Sequence, residues 1–219
     1  AQILYLYALL CTFCSDRYFL FSTINFLILE RLGSRLSGRI ITCGASEQNL
    51  YSEHGMQSIY INNGVEVLAA KKQWDSNRKK ICIGFAGILT EQKAPALFSE
   101  IASVFAENTR VVFKWIGDGP LRHELKAVNI ELTGWLEDEQ QVREELKDID
   151  IILSTSQWEG QPFAVIEAMR DSKCLLLYDC VGNRDLVVQG ENGFLFKTKE
   201  EAVEAIEYLL KDPALISRL

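Results

Sequence analysis

The 219-residue sequence predicts an α/β fold with a parallel sheet, and three observations carry that expectation. From Ile81 onward, short apolar runs alternate with longer segments of helical spacing, the pattern of strands covered by helices on both faces. A hydrophobic content of 48% with near-zero mean hydropathy supplies a real core for a globular protein. The stretch 151–170, IILSTSQWEGQPFAVIEAMR, then reads as a buried strand, a glycine-bearing polar loop and a helix beginning at Pro162.

Each element follows in order. Residues 18–36 read as a helix with Phe19, Ile24, Leu27, Ile28 and Leu32 on its apolar faces. A short strand at 39–42 leads into Gly44-Ala45-Ser46, and Ser46 and Asn49 flank a helix start. That helix ends near His54, a helix-end residue, with Gly55 as its C′ glycine. A strand at 58–61 is followed by Asn63-Gly64, which by its own chemistry is an ordinary turn. Beyond a charged linker, strands are expected at 81–85, 111–116, 129–133, 151–153, 174–178 and 193–196. Helical segments are expected at 94–105, 120–126, 139–146, from Pro162 and at 199–210, with a helical turn at 184–188.

Charge is uneven. Residues 1–70 carry a net −1, 71–80 a net +4 and 81–219 a net −10. An acidic main body excludes a phosphate-backbone binder, so no nucleic acid is expected as a partner. The basic run admits peripheral contact with anionic lipid, although a solvated linker is the preferred reading. Six cysteines show no paired spacing beyond Cys11-x-x-Cys14, and two histidines are too few to complete a usual zinc set. Cys82 and Cys174 fall in apolar runs, where a free thiol behaves as a small hydrophobe. Together these point to a reduced, cytoplasmic setting. The apolar opening at 1–14 is broken by Ser15-Asp16-Arg17, short of the roughly 20 residues that a membrane span needs. The chain starts at Ala1 in what reads as the middle of a domain, and it is read as a fragment.

The chemistry concentrates at 151–170. Free N–H groups and the helix dipole at the start of a helix make an anion site. Glu159 in the loop and Glu167 on the helix cannot bind phosphate, but they can accept hydrogen bonds from hydroxyls. Phosphate at the helix end and sugar hydroxyls at both carboxylates describe a nucleotide sugar. The sequence Glu159-Gly-Gln-Pro-Phe-Ala-Val-Ile-Glu167 resembles the signature of retaining GT-B glycosyltransferases, in particular the family-4-like group of capsule and exopolysaccharide sugar transferases, glycosyl transferases group 1. Phe85-Ala-Gly-Ile-Leu-Thr-Glu-Gln-Lys93, Gly117-Asp118-Gly119-Pro120 and Asn129-Ile-Glu-Leu-Thr-Gly-Trp135-Leu136 are similar to its other blocks in the same order.

The resemblance implies a GT-B type fold with a partial N-terminal, acceptor-side domain at 1–67, a linker at 68–80 and a C-terminal donor-binding domain at 81–219. It implies catalytic roles for Lys93, on the donor diphosphate, and Glu159, on the donor sugar. It implies donor contacts from Gly87, Gly117, Asp118, Trp135, Leu136, Gly160, Gln161, Phe163, Ala164 and Glu167, the last on the ribose hydroxyls. Core packing is the preferred reading of Trp135 and Trp115 all the same. Cys180-Val-Gly182-Asn183-Arg184-Asp185 resembles a turn of the polysaccharide-transferase subgroup, and 190–193 reads as plain turn chemistry. Ile88 stands where the family has arginine, a departure that would cost several kcal/mol of barrier in a standard site. The implied reaction moves a sugar from a nucleoside-diphosphate donor, UDP-linked by preference, to a glycan or lipid-linked acceptor, in the cytoplasm or at the inner face of its membrane. No cofactor or metal is implied, and the fragment alone is expected to be inactive. The rivals are a non-catalytic nucleotide-sugar-binding subunit, suggested by Ile88, and a GT-B nucleotide-sugar epimerase. A dehydrogenase is the weakest reading, since no G-x-G-x-x-G follows a strand.

Overall fold

The computed structural model describes residues 29, 31–33, 35, 40–66 and 80–219. Among them lie two parallel sheets. The smaller pairs β1 (Ile40–Thr42) with β2 (Ser58–Tyr60), connected by helix α1 (Ala45–Glu53). The larger contains β3 (Ile81–Ala86), β4 (Val111–Ile116), β5 (Ile130–Leu132), β6 (Ile151–Ser154), β7 (Cys174–Tyr178) and β8 (Gly193–Phe196). Its order is β5-β4-β3-β6-β7-β8, so the chain builds outward one way from β3 and then the other way from β6. That reversal opens a crevice beyond the carboxyl ends of β3 and β6, where ligands of such sheets sit.

Helices α2 (Pro95–Val104), α3 (Glu139–Asp148), α4 (Phe163–Arg170), α5 (Lys199–Lys211) and α6 (Ala214–Arg218) complete the described elements. Residue alternation along β4 shows how both faces are covered. Phe113 and Trp115 point to α2, where Phe98 meets them edge-on at centroid distances of 5.9 and 5.0 Å. Lys114 points the other way and pairs with Glu145 of α3 at 2.8 Å. Phe85, Phe98, Phe113 and Trp115 are all buried, and each such side chain contributes about 1.5–3 kcal/mol.

Most expected elements form within a residue or two of the expected bounds, and the sheet is parallel as expected. Of the helix expected at 18–36, only 29, 31–33 and 35 are described, and they are helical. Cys11, Cys14 and the opening at 1–14 lie outside the described residues.

Two expectations are corrected, at 120–126 and at Pro162. The helix at 120–126 is one 3-10 turn, Arg122–Glu124, because its backbone donors are engaged elsewhere. Leu121 N–H reaches the Leu89 carbonyl at 3.0 Å, and the N–H groups of Lys126 and Ala127 reach Ser99 Oγ. The helical turn expected at 184–188 forms as a 3-10 turn at Asn183–Asp185, and it ends before Val188, whose N–H donates to the Asn192 side chain. Pro162 is the extended N-cap of α4, with Phe163 the first helical residue. Helix α6, behind Asp212-Pro213, was not expected; Ile216 buries its apolar side.

Candidate functional site

Five loops at the carboxyl ends of β3 to β7 converge on the crevice. The first leaves β3 at Gly87 and is pinned by the indole of Trp115, whose N–H donates to the Gly87 carbonyl at 2.9 Å. Trp115 is therefore core, as expected, and also a tether. The loop after β4 lies directly on it: Leu89 N–H reaches Asp118 O at 3.0 Å. A Cβ on Gly117 would stand 2.3 Å from Gly87 O, and one on Gly119 2.6 Å from the Leu89 backbone. These glycines thus serve contact between two protein loops. Asp118 binds its neighbour's N–H at Gly119 and the exposed Arg122 at 2.8 Å. Gly117 also bridges to Gly134 of the loop after β5.

That third loop presents Trp135, which is 64% exposed. The expectation that Trp135 packs in the core is overturned: Gly134, at φ +75°, turns the chain outward, while Leu136 takes the position against the core.

The loop after β6 carries the acidic signature. Lys93 Nζ donates to Glu159 Oε1 at 2.5 Å, with the two side chains 18% and 7% exposed. Gln92 donates to Trp158 O at 2.8 Å and to Glu159 Oε2 at 3.4 Å, and Thr155 Oγ donates to Lys93 O at 2.7 Å. The 3-10 turn Glu91–Lys93 is thus stitched to the signature loop, and Lys93 also lies 5.6 Å from the Phe85 ring centroid. Gly160 faces open space. Phe163 is exposed at the start of α4, Ala164 is half-buried beside it, and Glu167 is half-buried one turn on. Among the described residues the Glu167 carboxylate accepts no hydrogen bond, although the Arg170 charge acts on it, so its oxygens can accept from a ligand. Gln161 is only 9% exposed, and its side chain hydrogen-bonds the Asn62-Asn63 turn.

The loop after β7 closes the group. Gly182, at φ +86°, lies so close to Gly160 O that a Cβ would stand 2.3 Å away. Cys180 is buried, and burial, reinforced by the Glu159 charge, pushes its thiol up to about 12, so it is no nucleophile. The turn expected at 190–193 forms at 190–192, with Asn192 bonded to Leu186 and Val188 and Gly193 opening β8. No group of three His, Cys, Asp or Glu suited to a metal occurs among the described residues, and no helix among them is long and apolar enough to cross a membrane.

The structure brings Gly87, Gly117 and Asp118 together in one stack and Lys93 and Glu159 into one ion pair. It gives a role to Gln92 and Thr155, which sequence reasoning missed, and to Gly182, which the sequence offered only as part of a turn. Their partners lie 66, 62 and 22 residues away in sequence, and no local pattern marks such contacts.

A match to the family described as Glycosyl transferases group 1 covers residues 67–219. The chain belongs to that family. Its relatives include the UDP-Gal:alpha-D-GlcNAc-diphosphoundecaprenol alpha-1,3-galactosyltransferase of Escherichia coli, 31% identical over 56% of this chain and 34% of that protein. The poly(ribitol-phosphate) alpha-N-acetylglucosaminyltransferase of Staphylococcus aureus (strain COL) is 24% identical over 75% of this chain and 34% of that one. Among solved structures, a S. aureus TarM mutant in complex with Fondaparinux, alpha-GlcNAc-glycerol and UDP superposes with a TM-score of 0.75 at 21% identity, covering 85% of this chain and 39% of that one. This likeness establishes a GT-B type α/β fold. The chain spans about a third of the length of each of these two sequence relatives.

Proposed function

We propose that the protein carrying this sequence transfers a sugar, with retention, from a UDP-linked donor to a glycan or lipid-linked acceptor in polysaccharide biosynthesis. The observation that carries this reading is the Lys93–Glu159 pair beside the start of α4, with Glu167 open one turn along. Helix N–H groups and the dipole of α4 hold the diphosphate. Lys93 has three donors and gives one to Glu159, so two remain for phosphate oxygens. Glu159 keeps acceptor capacity for a hydroxyl of the donor sugar, Glu167 takes the ribose hydroxyls, and Trp135 offers an exposed face at the rim for the base. Backbone groups of Gly87, Gly117, Asp118, Leu136, Gly160, Gln161, Phe163 and Ala164 shape the pocket. The acceptor oxygen bonds to the anomeric carbon on the face that the phosphate leaves, and its proton passes to the departing phosphate. The reading needs no cofactor or metal. The 67 N-terminal residues belong to the acceptor side, 68–80 to a linker and 81–219 to the donor domain. The Escherichia coli relative, whose name specifies a UDP-sugar and a diphosphoundecaprenol acceptor, supports uridine and a lipid-linked acceptor, and we place the reaction in the cytoplasm or at the inner face of its membrane.

A second reading, a non-catalytic nucleotide-sugar binder, is favoured by Ile88, which is half-exposed without charge where the family has a cation. Turnover of donor by the intact protein would remove it.

Calorimetric titration with UDP, GDP and ADP tests the main reading. Selective binding of UDP is expected. Glu167→Ala should weaken it about tenfold to a hundredfold, since hydrogen bonds to a charged acceptor contribute about 1.5–3 kcal/mol. Absence of binding by all three nucleotides would overturn the assignment.

A further inference from the structure

The signature loop is held from the N-terminal side of the chain as well as by the large sheet. Asn63 N–H donates to Gln161 Oε1 at 2.7 Å, Asn63 Nδ2 donates to Gln161 O at 3.0 Å, and Gln161 Nε2 donates to Asn62 Oδ1 at 3.1 Å. Asn62 Oδ1 also accepts from the Tyr60 hydroxyl. Both the oxygen and the nitrogen of the Gln161 amide thus bond a turn 98 and 99 residues earlier, while its neighbour Glu159 pairs with Lys93. The Asn63-Gly64 turn, ordinary by its own chemistry, is in fact one half of this junction.

We propose that Gln161 is a positioning residue that couples occupancy of the donor loop to docking of the Asn62-Asn63 turn. The inference rests on the donor site proposed above. A nucleotide that orders residues 159–163 orders the Gln161 side chain with them, and the turn is then gripped more firmly. Coupling of this kind is reciprocal, so the docked turn must raise nucleotide affinity by the same factor.

The test follows amide exchange at residues 61–66 with and without UDP, with UDP affinity measured by calorimetry in parallel. It uses the wild type, Gln161→Leu, Asn62→Ala and the double variant, each checked by thermal melting. UDP is expected to slow exchange at Asn63 about tenfold in the wild type, and neither variant should show the full increment. Gln161→Leu, losing two hydrogen bonds to the turn, should weaken UDP about tenfold, and Asn62→Ala, losing one of those two along with the Tyr60 hydroxyl contact, about threefold. The double variant should be no weaker than Gln161→Leu, because Asn62 acts only through its missing partner. A merely structural role for Gln161 would leave Asn62→Ala binding UDP like the wild type, and that result overturns the inference. So does exchange at Asn63 that ignores UDP in the wild type. Should Gln161→Leu fail to fold, Asn62→Ala decides alone, since Asn62 is exposed. If the wild type binds no UDP, calorimetry identifies the donor-site proposal as what failed, and this inference falls with it.

Discussion

Lys93 and Glu159 hold each other in the crevice at 2.5 Å, and that pairing shapes what a diphosphate would meet. The lysine cancels a buried carboxylate that would repel phosphate, yet it is the only cation that the motif supplies there. The half-exposed Ile88 has room for a longer side chain, so Ile88→Arg is tolerable sterically. A correctly placed donor at developing charge is worth about 2.7–4 kcal/mol, and Ile88→Arg is expected to raise kcat/KM of the intact protein by tenfold or more. Unchanged kinetics in a donor-turnover assay would show that position 88 does not face the phosphates. Glu47 offers a separate test. Burial raises its carboxyl above the usual range, against the pull of N–H groups from Cys43 and Gly44, and the charge of Asp185 adds to the rise. A folded pKa above the unfolded value gives stability that is complete below the unfolded value, 4.5, and is lost as pH rises through the folded one. Glu47→Gln keeps an oxygen for the Cys43 N–H and removes the titration. Its stability between pH 4 and 7, followed by urea unfolding, should therefore fall less with rising pH than that of the wild type.

Among the elements, helix ends matter most for placing the loops. Asp138 caps α3 through Gln140 N–H, and Thr198 caps α5 through Glu201 N–H, as short polar residues at those positions commonly do. The other end of α3 is finished by an unusual partner: buried Lys173 donates to the carbonyls of Lys147 at 2.9 Å and of Ile149. This ties the chain just before β7 to the segment just before β6, so it helps to set those strands in register. Lys173→Met keeps the stem and leaves the carbonyls without that donor, and a loss of about 1–3 kcal/mol is expected in chemical denaturation, with UDP affinity unaltered. A large change in UDP affinity would mean that this contact shapes the site as well.

At the scale of the molecule, hydrogen bonds among the described residues join the N-terminal part to loops of the large sheet at two places. One is Gln161 with Asn62 and Asn63. The other is Asp185, whose carboxylate accepts Ser46 N–H at 3.0 and 3.1 Å and Ser46 Oγ at 2.8 Å, while Gly182 N–H donates to Ser46 Oγ. Gly44, the N-cap residue of α1, offers no side-chain cap, so a carboxylate 139 residues away takes that place. A negative charge at a helix N-terminus is worth about 0.3–1 kcal/mol when exposed. Asp185→Ala is expected to speed amide exchange in the first turn of α1 severalfold while that of β6 and β7 stays as it was. Equal exchange at α1 in both proteins would show that the contact contributes nothing in solution.

What the sequence determined by itself was everything that depends on neighbours along the chain. Apolar runs such as 111–116 and 174–178 give their strands with the right bounds, because strand burial is written locally. Gly55 marks its helix end through its own φ of +70°. The order of the Lys93, Gly117-Asp118 and Glu159 to Glu167 blocks was enough for the family, since each sits just after a strand. The tertiary structure decided what depends on which loops touch. Trp135 looked like core until Gly134 turned it outward, and 120–126 looked helical until Leu89 and Ser99 drew off its hydrogen bonds. The bonding of Gln161 to Asn62 and Asn63 carried no signal, because hydrogen bonds across 98 residues leave no local pattern. Hydrophobic periodicity reports which face of an element is buried, and only the folded chain reports against what.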